Sequence, residues 1–249
     1  MLAFRGFADR RVARLSDAMA DILDVENVLA TLASWKPGLV VLAGAVNRPN
    51  PLAVLSAFSA YRNRQHLAEL MASGDDGLLR AVVRLIEERG FAVGRIGELA
   101  PELLAKPGVL GAVAPGPEAA ASISLGFSLL KALSPFDVGQ AAAISGARVI
   151  AVEGPEGTDA MLKRVKRILG RGGKDRRGVL VKTAKTSQDL RVDLPAIGPY
   201  TVLRAAAAGL GGIAVGAGAT LILDEARTIA AADRLKLFVV GHGTDAARS

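Results

Sequence analysis

Apolar residues in the first hundred positions follow two alternating periods. Val25, Val28, Leu29 and Leu32 fall at i, i+3, i+4 and i+7, which predicts an amphipathic helix. Lys36-Pro37-Gly38 breaks it. "LVVLAG", Leu39 to Gly44, is a continuous apolar run, as in a strand buried on both faces. A helical stretch is expected from about Pro51. After "GDDG", Leu78, Leu79, Val82, Val83 and Ile86 predict another helix, which stops at Gly90. "MLAF" at the start and "FAVGRI", Phe91 to Ile96, read as strands. This rhythm predicts a Rossmann-like α/β domain with a mostly parallel sheet.

"KPGVLGAVAPGPE", Lys106 to Glu118, is dense in Pro and Gly and reads as a connection. The expected division is therefore residues 1–112, a linker at 113–118, and a second α/β domain at 119–249. That second part opens with a helix bearing Ile123, Phe127 and Leu130. "AAAISGARVIAVE" predicts a hairpin turning near Ser145-Gly146. Gly154 to Leu169 predicts a turn and helix, with Thr158 as N-cap and Met161, Val165 and Ile168 as its buried stripe. A basic loop follows at Gly170–Gly178, then a strand at Gly178–Ala184. Pro199 is expected to open a helix at its first position. Arg204 to Asp224 encloses a run without charge, about the ~20 residues that span a bilayer. Five glycines interrupt it, so it reads as helix end, turn, short strand, turn, strand. A strand, helix and strand over Thr220–Gly241 complete a mixed sheet.

Composition narrows the chemistry. The 249 residues are 51% hydrophobic, enough for a packed core. Cysteine is absent, which excludes disulfides, thiolate nucleophiles and Cys-ligated zinc. With only His66 and His242, a His-rich metal site is excluded too, and both histidines read as surface residues, His242 in the terminal tail. A bound metal would need oxygen ligands, which points to Mg²⁺, Mn²⁺ or Ca²⁺. The formal charge of +7 suits a polyanionic partner, and aromatics at 4% argue against a base-stacking nucleic-acid platform. No secretory signal is visible, so a cytoplasmic protein is expected.

"GLGGIAVGAG" tempts a dinucleotide reading, but the fingerprint needs strand, glycines, then helix. Here a helix precedes and a strand follows, so a tight turn is expected. The acidic set of the second half is more informative. Asp137, Glu153, Glu156, Asp159 and Asp193 each fall at an element junction beside Gly or Pro. Singly, each has a bland reading: Asp159 suits a helix N-terminus, and Glu156 a solvated turn. Asp193 stands out because it sits between Val192 and Leu194, while Asp189 lies outside these apolar flanks. Opposite them in sign are Lys163, Arg164, Lys182, Lys185 and Arg191. Carboxylates able to hold Mg²⁺, together with cations for phosphate oxygens, suit metal-assisted phosphoryl chemistry.

Six collinear stretches resemble one family. They are "AGAVNRP" from Ala43, "GDDGLLR" from Gly74, "DVGQ" from Asp137, "VEGPEGTDAMLKR" from Val152, "GVLVKTAKTSQDLRVDLPAIG" from Gly178 and "AGLGGIAVGAG" from Ala208. The family is the LpxI-type UDP-2,3-diacylglucosamine pyrophosphatases of lipid A biosynthesis in Gram-negative bacteria. The resemblance implies two α/β domains. It implies metal-dependent hydrolysis, with Mg²⁺ or Mn²⁺, to UMP and 2,3-diacylglucosamine 1-phosphate, attacked on the sugar side of the bridge. It puts the family's essential aspartate on Asp193, with Asp137 and Asp159 as further catalytic candidates and Asp193 and Glu153 as metal ligands. Substrate contacts are expected from Asn47, Arg48, Gln140, Glu156, Gly157, Thr158, Lys182, Lys185, Gln188 and Arg191. Members usually begin about one βα unit, on the order of 30 residues, before the segment matching "LAFRGFAD". The expected partner is an acylated sugar nucleotide, not nucleic acid. Peripheral contact with the inner membrane and a homodimer are compatible with this reading. The alternative is a non-catalytic sugar-nucleotide or lipid-phosphate binder with the same site and no turnover.

Overall fold

The computed structural model describes residues 1–44, 74–170, 178–186 and 188–243. The chain forms two compact units, Met1–Ile96 and Gly97–Ser249.

In the first unit β1 (Leu2–Phe4) pairs in parallel with β2 (Ala18–Ala20), and β3 (Val40–Val41) in parallel with β4 (Val93–Gly94). Between β1 and β2 lies α1 (Arg10–Leu15), a helix with no buried residue and so no apolar stripe to announce it. Its start is fixed by Asp9, whose carboxylate accepts from the Arg11 and Val12 amides at 2.8 Å. α2 (Val25–Trp35) buries Leu29 and Leu32, as the spacing predicts. It ends at Lys36, held left-handed at φ +48° with its N–H on the Leu32 carbonyl, ahead of Pro37. α3 (Gly74–Glu88) buries Val83, Leu85 and Ile86. The helix expected from Pro51 and the residues Asn47, Arg48 and His66 lie outside the described residues.

The second unit opens inside α4 (Ile96–Leu99), well before the expected boundary near residue 112. Its Pro- and Gly-rich stretch is more than a connection, because β5 (Gly108–Val109) pairs antiparallel with β12 (Phe238–His242). The sheet runs β5-β12-β10-β8-β6-β7, with β6 (Ala141–Ser145), β7 (Arg148–Val152), β8 (Val179–Lys182) and β10 (Gly212–Gly216). β8, β10 and β12 are parallel, and β6 and β7 are the expected hairpin, with β6 antiparallel to β8. The mixed sheet of the sequence reading is thus observed.

Alternation along the strands sorts the core into two faces. Leu180, Ile213 and Val215 pack with α6 (Gly157–Leu169), α7 (Pro199–Ala207) and α8 (Glu225–Arg234) through Met161, Val202, Ala205 and Ala232. Val179, Val181 and Ala214 point the other way, onto Ile123 and Leu130 of α5 (Pro117–Leu133). A small parallel pair, β9 (Ala196–Ile197) with β11 (Leu221–Ile222), flanks α7. Arg204–Asp224 therefore divides into helix, strand and strand. The apolar run Pro117–Phe136 has the length and hydropathy of a span, yet Ile123, Gly126 and Leu130 bury one side of it against the sheet.

The structure departs from the sequence expectation at three residues. Ile168 is exposed at the end of α6, and Leu162 takes the expected place in its buried stripe. Glu156, not Thr158, precedes the first turn of α6, so Thr158 is free for another bond. His242 is the last residue of β12 and stacks on Phe127, ring centroids 4.5 Å apart, instead of lying in a tail.

α5 approaches the sheet closely at Gly126, where a Cβ would stand 2.9 Å from the Val181 Cβ and 3.2 Å from Ile144 Cγ1. Ala at a helix interior gains ~1 kcal/mol over Gly. Overpacking against two β-branched strand residues costs about 1–3 kcal/mol. The clash wins, so Gly126→Ala should lower the urea midpoint with its slope unchanged.

Candidate active site

The antiparallel register of β6 and β8 creates the site. Ala141 pairs with Lys182, so the start of β6 meets the carboxyl end of β8. Ala142 pairs with Val152, which brings the end of β7 to the same place. Three backbone bonds extend this meeting beyond the strands: Thr183 N to Gln140 O at 3.0 Å, Glu153 N to Ala141 O at 2.8 Å, and Gly139 N to Glu153 O at 3.1 Å. Strand ends of an α/β sheet are where such folds place sites. Gly139 is needed for the approach, since a Cβ there would lie 2.6 Å from the Glu153 Cβ.

Three polar chains converge at this end. Glu153, 8% exposed, accepts at Oε1 from the Thr158 hydroxyl at 2.6 Å and at Oε2 from the Gln140 amide N–H at 2.9 Å. Thr158 in turn accepts from Lys182 Nζ at 3.0 Å. One hydroxyl thus relays a cation to a buried carboxylate, which is the work Thr158 does instead of capping. Burial pushes the Lys182 ammonium below the usual lysine range, while Glu153, then Asp193 and Asp159, pull it back toward the charged form.

Asp193 is partly buried between half-buried Val192 and Leu194. Its Oδ2 accepts from Gln140 Nε2 at 2.6 Å and also from Gln188 Nε2. Gln140 therefore joins the two carboxylates, its backbone on Glu153 and its side chain on Asp193.

Asp137 and Lys185 form an ion pair beside this centre, Lys185 being the more buried partner. Asp137 is held left-handed at φ +51° after a short 3-10 turn, Ser134–Phe136. The same turn is tied to the loop after β8 by Ser134, whose hydroxyl lies 2.8 Å from Thr186 Oγ1 and accepts from the Thr186 N–H. Ser134, Thr186 and Gly139 were missed by the sequence reading. Gly139 in "DVGQ" and Thr186 in "GVLVKTAKTSQDLRVDLPAIG" lie in stretches that carry the family resemblance, whereas Ser134 lies in none.

Other candidates point elsewhere. Asp159 is exposed and pairs with Arg204 of α7 at 3.1 Å, reaching the centre only through its field on Lys182. Glu156 pairs with Arg164, which also donates to the Val152 carbonyl at 2.8 Å. Its carboxyl is held below the usual range by its own backbone N–H and then by Arg164. Gly157 supplies φ +81° at the start of α6. Arg191, expected to meet phosphate, lies against Asp189, with Nη2 2.7 Å from Oδ2. Asp189 also receives the Arg191 N–H on its carboxylate and the Val192 and Asp193 N–H groups on its carbonyl. It is a structural pin of the loop.

Among the described residues no three His, Cys, Asp or Glu side chains gather as a metal cage. The oxygen donors suit only a cation that takes one or two carboxylates and completes its shell with phosphate oxygens and water, which is the habit of Mg²⁺.

The known proteins this chain resembles agree in both units. Residues 1–103 match the family model of the LpxI N-terminal domain, and residues 106–240 that of the LpxI C-terminal domain. The chain is similar to UDP-2,3-diacylglucosamine pyrophosphatase LpxI of Caulobacter vibrioides, 38% identical over 244 residues. That alignment covers 97% of this chain and 87% of the relative.

Removal of the central cation tests the arrangement. Lys182→Met keeps the stem but removes the charged donor to Thr158 and one positive charge beside Glu153 and Asp193, and loss of a hydrogen bond from a charged group costs about 1.5–3 kcal/mol. Urea unfolding at neutral pH should show that loss, whereas a solvated lysine would show almost none.

Proposed function

The chain belongs to the LpxI family, and from that premise we propose that it hydrolyses the diphosphate of UDP-2,3-diacylglucosamine to UMP and 2,3-diacylglucosamine 1-phosphate in lipid A synthesis. The observation that carries the reading is Asp193, a carboxylate oriented by two amides at a strand-end junction. A carboxylate so held is suited to orient and deprotonate a water. In the reaction the water oxygen forms a bond to phosphorus and the bridging P–O bond breaks. The electron pair of that bond leaves on the departing phosphate, and the water protons pass to Asp193 and to solvent.

A divalent cation, Mg²⁺ or Mn²⁺, belongs to the proposal and would neutralise charge on the diphosphate when bound. Asp193 would hold it. Glu153, each of whose oxygens already accepts a hydrogen bond from the protein, supports Asp193 through Gln140 and would ligate only alongside those bonds. Lys182 and Lys185 add positive charge beside the carboxylates. Asp137 orients Lys185 through their ion pair. A diacylated substrate partitions into bilayers, so peripheral contact with the inner membrane from the cytoplasm follows from this reading.

Release of UMP from UDP-2,3-diacylglucosamine by the purified chain is the direct test. Asp193→Asn should lower turnover by roughly 10²–10⁴-fold in a folded sample, the usual cost of losing a general base. Excess chelator on metal-stripped protein should abolish turnover, and Mg²⁺ should restore it. Attack on the sugar side predicts that ¹⁸O-labelled water places its oxygen in the sugar 1-phosphate and leaves the UMP unlabelled. Tight binding of substrate with no UMP released would favour a binding protein instead.

A further inference from the structure

Gln188 is expected from the sequence as a substrate contact, but its surroundings assign it other work. It is 8% exposed, and its amide is committed within the protein. Its Oε1 accepts from the Lys185 N–H at 3.0 Å. Its Nε2 donates to the Asp193 carbonyl at 2.9 Å and to Asp193 Oδ2. The orientation of the amide is unambiguous. A backbone N–H can only donate, so the oxygen must face Lys185, and the Asp193 backbone carbonyl can only accept, so the nitrogen must face it. A flipped amide would set donor on donor and acceptor on acceptor.

We infer that Gln188 is a positioning residue that locks the backbone and side chain of Asp193 together, fixing the direction of its carboxylate for hydrolysis. Two bonds from one nitrogen, to the carbonyl and to the carboxylate of the same residue, restrain the side-chain torsions of Asp193 directly. The second amide on Oδ2, from Gln140, reaches it from the start of β6 and so references the carboxylate to the sheet. Gln188 references it to the loop that also carries Lys185. The span between the Lys185 amide and Asp193 suits the Gln side chain. Asn is one methylene shorter and does not bridge both ends.

This inference rests on the reading of Asp193 as the catalytic carboxylate, and the experiment separates the two. Gln188→Ala and Gln188→Glu are compared with the wild-type chain for kcat, KM and melting temperature on UDP-2,3-diacylglucosamine, and the Gln188→Ala crystal structure is determined. Gln188→Ala should lose about 10–100-fold in kcat, the usual effect of removing an orienting partner. Its KM should stay within twofold, and its Asp193 carboxylate should turn away from Gln140. Gln188→Glu keeps shape and volume and still accepts from Lys185, but faces Asp193 with an acceptor, so its kcat should fall at least as far. A folded variant of either kind with near-wild-type kcat overturns the inference. So does a raised KM at unchanged kcat, which would make Gln188 a substrate contact. Failure of both variants to fold would assign Gln188 to stability alone and also overturn it. If the wild-type chain releases no UMP, the proposed reaction fails, and the Asp193 rotamer in the Gln188→Ala structure still decides whether the lock exists.

Discussion

The site depends on one strand running the wrong way. In an all-parallel sheet, the carboxyl end of β8 would adjoin the carboxyl end of its neighbour, and a residue entering that neighbour would lie at the far edge. Because β6 is antiparallel to β8, Gln140 enters the sheet where Lys182 leaves it. The tight return from β6 to β7 then brings Glu153 back to the same edge. Residues spread from Ser134 to Asp193 meet there, the last of them carried by the loop that follows β8. Lys182 stands at the end of a ladder-bonded strand, and the groups outside the strands are tied to it and to one another by hydrogen bonds.

That convergence gathers charge. Glu153, Asp193 and Asp159 act on one lysine, and burial opposes the lysine's own charge. Desolvated charges are kept only when each is paired or hydrogen-bonded. Thr158 supplies the connection to Lys182, Gln140 and Gln188 saturate Oδ2 of Asp193, and Asp189 takes up Arg191. These polar side chains carry no apolar period, which is why they look interchangeable with surface residues in the sequence. Their joint occupancy makes substitutions among them non-additive, since each shares a partner with another.

Much of the fold was legible. The hairpin announced itself by Ser145-Gly146, α7 by Pro199, and the buried strands by apolar runs that alternate between the two core faces. The helices read less completely. α1 has no buried side, and Ile168 continues the apolar spacing of α6 at a point where the end of the helix turns it into solvent. The candidate site was legible as a set of residue types, with Asp193 singled out by its apolar flanks. Its grouping was not. Nothing local tells that Lys185 meets Asp137 or that Thr186 meets Ser134, because those contacts are made by register across the sheet. The roles of Thr158 and Gln188 followed only from which atom faces which, information that spacing does not contain.

Gln140 reaches the two carboxylates through two different kinds of group, a backbone N–H to Glu153 and a side-chain amide to Asp193. Genetic change reaches only the second. Any residue except proline at this position keeps the first bond so long as the chain path holds. Divergence at position 140 is thereby channelled: descendants of this sequence can retune the setting of Asp193 while inheriting the anchoring of Glu153 unaltered.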